Sequence, residues 1–286
     1  MLKSMNKKDL IAINQLVQVA AAGKDDKIIK YIIELNEEEK ALFVEIFQPS
    51  GKFAVCLRKE MEDITEDELI PIVDSIEFNE ILTKIIEGDE VDLSIKNNKV
   101  LIKSSKNEIN DTIELPYFEE DDEEIQSRKN VKTAFKSRKY GAVNNILTFY
   151  GRANKEDPKP DATCKIDLKK LNIKNIATVF NKGAVEIGAK KGKFYLTIGG
   201  GKQKQSKNIT RTIKKGESKD PMNVKGECTI LLQNTSCFSS LAGYSGLVNI
   251  DMKEGFPLVL KKKIAEHRIG ICYMISLLEE IEEIKE

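Results

Sequence analysis

The stretch GFPLVLKKKIAEHRIGICYMISLL, residues Gly255–Leu278, decides the fold of this chain. After Arg268 the apolar residues fall on every second position: Ile269, Ile271, Tyr273 and Ile275. Alternation of this kind is typical of a β-strand. Phe256–Ile264 is interpreted as a second strand, and Pro257 lies near its start, where a missing hydrogen-bond donor is tolerated. The polar residues 265–268 lie between the two runs, so the stretch predicts a β-hairpin.

Composition indicates a globular protein with a heavily charged surface. The chain has 286 residues, of which 41% are hydrophobic and 32% are charged. Lys and Arg together number 46, as do Asp and Glu, so the formal net charge is zero. A protein that binds nucleic acid by charge alone is normally basic, so any role on DNA must depend on charge that is segregated within the molecule. No apolar run is long enough to span a membrane, and we expect no signal peptide.

The residues with catalytic or metal-binding chemistry are few and scattered. The five cysteines show no C-x-x-C spacing, which favours reduced, buried thiols over a zinc site. His267 is the only histidine and lies in a polar turn, which argues against Ser-His or Cys-His catalysis. The glycines at 199–201 lack the spacing of a phosphate-binding loop. We therefore expect no enzymatic activity, no cofactor and no metal ion.

One unit occurs in both halves of the chain. In the first half, a helical pattern over Phe78–Ile86 precedes alternating residues from Val91 to Ile102, with Asn97-Asn98 as a tight turn. In the second half, a helical pattern over Leu171–Phe180 precedes alternating residues from Val185 to Ile198. The order of helix, strand, turn and strand predicts a duplicated module.

Charged blocks mark the connections around these modules. The acidic run Glu119–Glu124 and the basic residues that follow it predict an exposed connector. We place the domains at residues 1–124 and 161–286, with the connector at 125–160. Residues 199–226 form a lysine-rich segment that predicts a loop, either a solvated one or one that contacts DNA. An amphipathic helix over Asn6–Ala22 opens the chain.

Four segments resemble the sliding clamps of the proliferating cell nuclear antigen (PCNA) type. They are ATCKIDLKKLNIKNIATVF from residue 162, GAVEIGAKKGKFYLTIGG from residue 183, VNIDMKEGFPLVLKKKIAEHRIGICYMI from residue 248, and SIEFNEILTKIIEGDEVDLSIKNNKVLIKS from residue 75. The resemblance implies an α+β, two-domain DNA-clamp fold. Each domain is expected to have antiparallel sheets outside and two short helices inside.

The resemblance also implies a function. We expect a DNA polymerase processivity factor, a homotrimeric ring that encircles duplex DNA without sequence preference and is placed there by a clamp loader. The expected location is cytoplasmic, at a nucleoid or viral replication site, or nuclear in a eukaryotic host. By resemblance, the lysines that face the duplex are Lys7, Lys8, Lys84, Lys169, Lys170 and Lys174. The helix predicted over Thr235–Ala242 departs from this pattern because it carries no basic residue.

The resemblance is weakest where partner proteins are expected to bind. The residues implied there are Pro257, Leu258, Ser276, Leu277 and Leu278. Ser276-Leu277-Leu278 replaces the Ala-Pro pair that usually ends the last strand, and the connector is longer and more charged than usual. These departures fit a viral or mobile-element clamp or a distant cellular paralogue, and they are also compatible with a lost clamp function. The alternative hypothesis is a β-rich structural or interaction protein, for example a viral one, that does not bind DNA.

Overall fold

The structure is a computed structural model. It describes the residues 2–19, 29–47, 53–137, 159–171, 185–198, 209–213, 223–232 and 236–275. No helix among these residues is both long and apolar enough to cross a membrane.

Short antiparallel strands make up most of the structure. The strands of the first half are β1 (Leu2–Asn6), β2 (Tyr31–Asn36), β3 (Ala41–Phe47), β4 (Phe53–Glu60), β5 (Glu68–Ile72), β6 (Glu90–Lys96), β7 (Lys99–Lys106) and β8 (Ile109–Pro116). Those of the second half are β9 (Ala162–Ile166), β10 (Val185–Lys190), β11 (Lys193–Ile198), β12 (Ile209–Ile213), β13 (Asn223–Gly226), β14 (Cys228–Leu232), β15 (Val248–Met252), β16 (Leu258–Ile264) and β17 (Ile269–Ile275). The α-helices are α1 (Lys7–Gln18), α2 (Ser75–Glu80), α3 (Asp122–Ser137) and α4 (Ser236–Leu241).

The chain divides into two compact units. The first unit comprises Met1–Gln48, Ala54–Lys136 and Lys263–Cys272, and the second comprises Pro49–Phe53, Ser137–Lys262 and Tyr273–Glu286. The last strands of the chain therefore contribute to both units. The domain boundaries at residues 124 and 160 stay a prediction.

In the first unit the strands follow the orders β1-β6-β7-β8 and β5-β2-β3-β4-β17. The predicted hairpin of β6 and β7 is confirmed, with Lys96 opposite Lys99. Asn97 and Asn98 between them have positive φ angles of 53° and 54°. Asparagine tolerates this left-handed conformation better than most residues, which explains the Asn pair at a two-residue turn.

In the second unit the orders are β14-β10-β11-β12 and β13-β9-β15-β16-β17. The predicted hairpin of β10 and β11 is confirmed. The prediction of an uninterrupted loop over 199–226 is wrong, because β12 pairs with β11 and β13 pairs with β9 inside that segment. Each of these strands borders a single described strand, so their polar residues resemble a loop in sequence.

The two units repeat one strand order. The sequence β1-β6-β7-β8 of the first unit corresponds to β9-β15-β16-β17 of the second, and β5-β2-β3-β4 corresponds to β14-β10-β11-β12. A module with the same order of paired strands therefore occurs twice among the described residues. The helix predicted over Leu171–Phe180 lies outside the described residues apart from Leu171.

The closing hairpin has the predicted bounds within two residues. A short 3-10 turn, Ala265–His267, joins β16 to β17, and Arg268 after it is left-handed with φ 52°. Six of the seven residues of β17 are buried, so both faces of this strand are covered. The alternation seen in the sequence indicated the strand correctly but understated its burial.

The helices begin at polar caps. The Asn6 side chain accepts a hydrogen bond from the backbone N–H of Lys8 at the start of α1. Asp74 does the same for Ile76 and Glu77 at the start of α2. β5 ends at Ile72, and this cap starts α2 three residues later. α2 continues into a π-helical turn, Ile81–Ile85. The prediction of the helix α4 is confirmed.

The basic segment after the acidic run is a helix, and its prediction as an exposed connector is wrong at Arg128. Asp121 and Glu124 form a reciprocal capping box: the Asp121 side chain accepts from the Glu124 N–H, and the Glu124 side chain accepts from the Asp121 N–H. The acidic run therefore supplies the start of α3.

A cluster of charged side chains holds α3 against the sheet. The Arg128 side chain is 7% exposed and contacts Glu34, Glu120 at 3.1 Å and the fully buried Glu45 at 3.8 Å. Lys132 also contacts Glu34, and its Nζ lies 4.0 Å from the centre of the Phe43 ring. Burial raises the pKa of Glu120, against the opposing effect of the Arg128 charge. Among α3 residues whose side chains are described, Val131 is the one buried apolar residue and Arg128 is the one buried charged residue.

Removing the cation at the centre of this cluster should destabilise the fold strongly. We expect Arg128→Ala to lower the free energy of unfolding by about 3–5 kcal/mol, because three carboxylates lose a buried partner. Lys129→Ala, on the exposed side of the same helix, should change it by less than about 0.5 kcal/mol. Urea unfolding followed by circular dichroism measures both variants. Equal losses would contradict the role given to Arg128.

Candidate nucleic-acid interface

The helices of the first unit form an antiparallel pair. Near the end of α1, Asn14 Nδ2 and Gln18 Nε2 both donate to the carbonyl oxygen of Ser75, at 2.8 and 2.9 Å. Near the start of α1, the Lys7 side chain donates to the carbonyl oxygen of Ile86, which follows the π-helical turn after α2. The Tyr31 hydroxyl donates to the Asn14 side chain at 2.8 Å, and burial raises the pKa of Tyr31. These buried hydrogen bonds fix the two helices side by side.

Lys7 and Lys8 are neighbours in sequence but differ in role. Lys7 is half-buried, and its Nζ donates to the Ile86 carbonyl oxygen at 2.8 Å. Lysine near a helix C-terminus satisfies a carbonyl group that has no partner within the helix. Lys8 is exposed, so its ammonium group faces solvent. Lys8 is therefore better placed than Lys7 to meet a phosphate.

Lys84 lies on the π-helical turn and is exposed. Its Nζ forms an ion pair with Glu80 Oε1 at 2.6 Å, one helical turn back. Exposed pairs of this kind contribute only about 0–1 kcal/mol, so the pair does not prevent Lys84 from reaching another anion. The ion pair does neutralise part of the Lys84 charge.

Lys169 lies on a 3-10 helix of the second unit, Leu168–Leu171. The Asp167 side chain accepts from the Lys169 backbone N–H at 2.9 Å and so caps this helix. The Lys169 side chain is exposed, and its Nζ lies 3.3 Å from the Ser245 hydroxyl. The Lys170 side chain and the whole of Lys174 lie outside the described residues.

Of the five residues expected to bind partner proteins, two are buried and three lie outside the described residues. Pro257 is buried and Leu258 is 0% exposed, so both belong to the core of the second unit. Ser276, Leu277 and Leu278 lie outside the described residues. Their assignment as a partner site stays a prediction.

A three-residue cluster that the sequence did not reveal fixes the start of α1. Lys59 Nζ donates to the His267 carbonyl oxygen at 2.7 Å and pairs with Asp9 Oδ2 at 2.7 Å. Asp9 Oδ1 lies 2.7 Å from His267 Nδ1. The Lys59 side chain is only 8% exposed. The histidine that stood out as a lone candidate in the sequence is therefore part of a structural cluster that positions the first helix.

The described residues offer contacts to an anion but little for catalysis. They contain no group of three or more His, Cys, Asp or Glu side chains able to hold a metal ion. Burial raises the pKa of Cys164 to about 12, which makes its thiol a poor nucleophile. Exposed lysines on helices are suited to sequence-independent contact with phosphates.

The contrast between Lys7 and Lys8 can be tested by stability. Lys7→Met should lower the free energy of unfolding by about 1–2 kcal/mol, because the Ile86 carbonyl loses its charged donor. Lys8→Met should change it by less than about 0.5 kcal/mol. Thermal and urea unfolding of the two variants make the comparison. A larger loss for Lys8→Met would show that the assignment of the two roles is reversed.

Comparison with known proteins supports one fold. No family model and no curated protein matches the sequence. Three solved structures are similar over nearly their whole length: the PCNA2–PCNA3 complex of Sulfolobus tokodaii (TM-score 0.67, 12% identity, 98% of this chain and 99% of that chain), PCNA of Entamoeba histolytica (0.64, 13%, 97% and 98%) and PCNA of Thermococcus kodakaraensis (0.63, 10%, 97% and 99%). The chain therefore has the two-domain clamp fold seen in these PCNA structures, at low sequence identity to each of them.

Proposed function

We propose that this chain is a sliding clamp, a non-enzymatic processivity factor. Three copies associate head to tail into a ring around duplex DNA, a loader places the ring there, and the ring tethers a DNA polymerase. The similarity to PCNA structures supports this reading. The observation that supports it most directly is a pair of edge strands, β8 in the first unit and β12 in the second, each of which has a single described neighbour.

The repeat identifies which edges should meet. β17 lies next to β4 in the strand order. Its counterpart in the first unit is β8, and the counterpart of β4 in the second unit is β12. Among the described strands, β8 borders only β7 and β12 borders only β11. If β8 of one copy pairs with β12 of the next, the contact inside the chain is reproduced between copies.

Such a contact is heterologous, since it joins different surfaces of the two partners. Heterologous contacts give a closed ring when the rotation between copies closes, and a filament when it does not. Pairing also satisfies backbone N–H and C=O groups that are otherwise left to water and prone to aggregation.

The geometry of β8 shows which of its backbone groups face outward. Lys106 pairs with Ile109 across the two-residue turn Asn107-Glu108, so these two residues exchange hydrogen bonds. Hydrogen-bonded pairs recur at every second residue of an antiparallel ladder. The residue pair Lys103–Thr112 is therefore a non-hydrogen-bonded pair, and the N–H of Thr112 points away from β7. Pro116, which has no N–H, lies in the same outward set.

The proposed contact to DNA uses phosphates alone. Lys8 and Lys169 are exposed on helices of the first and second units, and the sequence adds Lys170 and Lys174 beside Lys169. Each phosphate contact releases a counterion, so binding should weaken steeply with salt and show no sequence preference. A zero net charge limits adhesion of other surfaces of the protein to nucleic acid.

A proline at the open edge should separate the copies. We expect wild-type protein to give a three-subunit product with an amine-reactive crosslinker and to be retained on duplex DNA at low salt. Thr112→Pro removes an outward N–H without removing a bond to β7, so the variant should stay folded by circular dichroism but give only monomer. Thr112→Val keeps the N–H and should behave as wild type.

Two outcomes would contradict the proposed function. A Thr112→Pro variant that still gives the three-subunit product would show that β8 is not the contact edge. Wild-type protein that is not retained on duplex DNA at any salt concentration would favour the structural or interaction protein instead.

A further inference from the structure

The helix face of the first unit carries three exposed carboxylates. Glu77 and Glu80 lie on α2, and Glu87 follows the π-helical turn. Glu77, Glu80 and Lys84 recur at intervals of three or four, so they lie along one side of the helical segment, and Glu87 follows the end of that segment. Between Ser75 and Glu87, where every residue is described, Lys84 is the only cation, and it is paired with Glu80.

The neighbouring helix α1 does little to offset this negative charge. Within this helix Lys8 and Gln15 are exposed, and the neutral residues Ile11 and Gln18 are half-buried. The Lys7 side chain donates to the Ile86 carbonyl oxygen, and the Asp9 carboxylate contacts Lys59 and His267. The outward face of the helix pair thus offers two cations against three carboxylates.

The described part of the second unit's helical surface differs. Lys169 is exposed, and its Nζ lies near a neutral hydroxyl, that of Ser245. The helix α4 of this unit contains neither acidic nor basic residues. A phosphate approaching Lys169 meets a cation whose nearest polar partner is uncharged.

We propose that Glu77, Glu80 and Glu87 hold duplex DNA away from the helix face of the first unit, so that Lys8 contributes little and phosphate contact is carried mainly by the second unit around Lys169. This inference rests on the proposed function. Within about 10 Å, which is the screening length at moderate salt, carboxylates repel phosphates. In a ring made of such subunits, the duplex contacts alternate segments of the inner wall, and the acidic segments between them keep the ring from gripping the DNA tightly.

Charge reversal of the acidic stripe tests the proposal directly. The full-length Glu77→Lys/Glu80→Lys double variant should bind a short fluorescent duplex roughly ten-fold more tightly than wild type at low salt, with a steeper loss of affinity as salt rises, because two phosphate contacts are added. Glu77→Gln/Glu80→Gln should give a smaller gain and disturbs the helix less. Lys169→Glu/Lys170→Glu should weaken binding by a similar factor.

A matched control separates local repulsion from net charge. Glu37→Lys/Glu38→Lys makes the same change of charge at an exposed turn between β2 and β3. If it raises affinity as much as the α2 variant, or if the α2 variant shows no gain while wild type binds duplex, the repulsive role is overturned and the clamp proposal stands. If no protein of the set binds duplex at low salt, both proposals fail.

Discussion

Backbone hydrogen bonding at the edges of the sheets is the constraint on which the rest of this molecule depends. Antiparallel strands satisfy each other's N–H and C=O groups, but a strand with one neighbour leaves half of its groups without a protein partner. Because one strand order occurs twice, each edge in one unit has a counterpart in the other. β17 and β4 lie side by side, whereas their counterparts β8 and β12 each have a single described neighbour. The proposed ring depends on that difference, because strands with a single neighbour can pair with another copy.

Charge is divided between structural and accessible groups. Arg128, Lys59 and Lys7 are engaged by buried carboxylates or carbonyl oxygens and act within the fold. Lys8 and Lys169 are exposed and are free to act at the surface. A count of charges in the sequence does not distinguish these two groups. Under the clamp proposal, contacts to DNA must be weak enough to slide, and a small number of exposed lysines opposed by carboxylates on α2 would meet that need.

The sequence predicted the parts of the fold that depend on local patterns. Alternation of apolar residues and the Asn97-Asn98 turn were sufficient to predict the hairpins, since period and turn chemistry are local properties. β12 was missed because its polar residues are those of an edge strand. α3 was missed because its charged residues are those of a connector, and only contacts with Glu34 and Glu45, far away in the chain, bury Arg128.

The candidate site was less predictable because the contacts of its side chains also join segments that are far apart in the chain. Six lysines were expected by resemblance to contact DNA, and two of them have partners within the fold. Lys7 binds the Ile86 carbonyl, for which the sequence gave no sign, and Lys84 pairs with Glu80. The second pair has a local signal, since Glu and Lys four residues apart on a helix commonly interact. The cluster of Asp9, Lys59 and His267 has none, because its members come from three separate segments.

Electron microscopy of the purified full-length chain at micromolar concentration tests the central claim most directly. The clamp proposal predicts closed rings of three subunits with a central hole wide enough for duplex DNA, formed without any partner protein. Images that contain only monomers, or open filaments without closed rings, would contradict it.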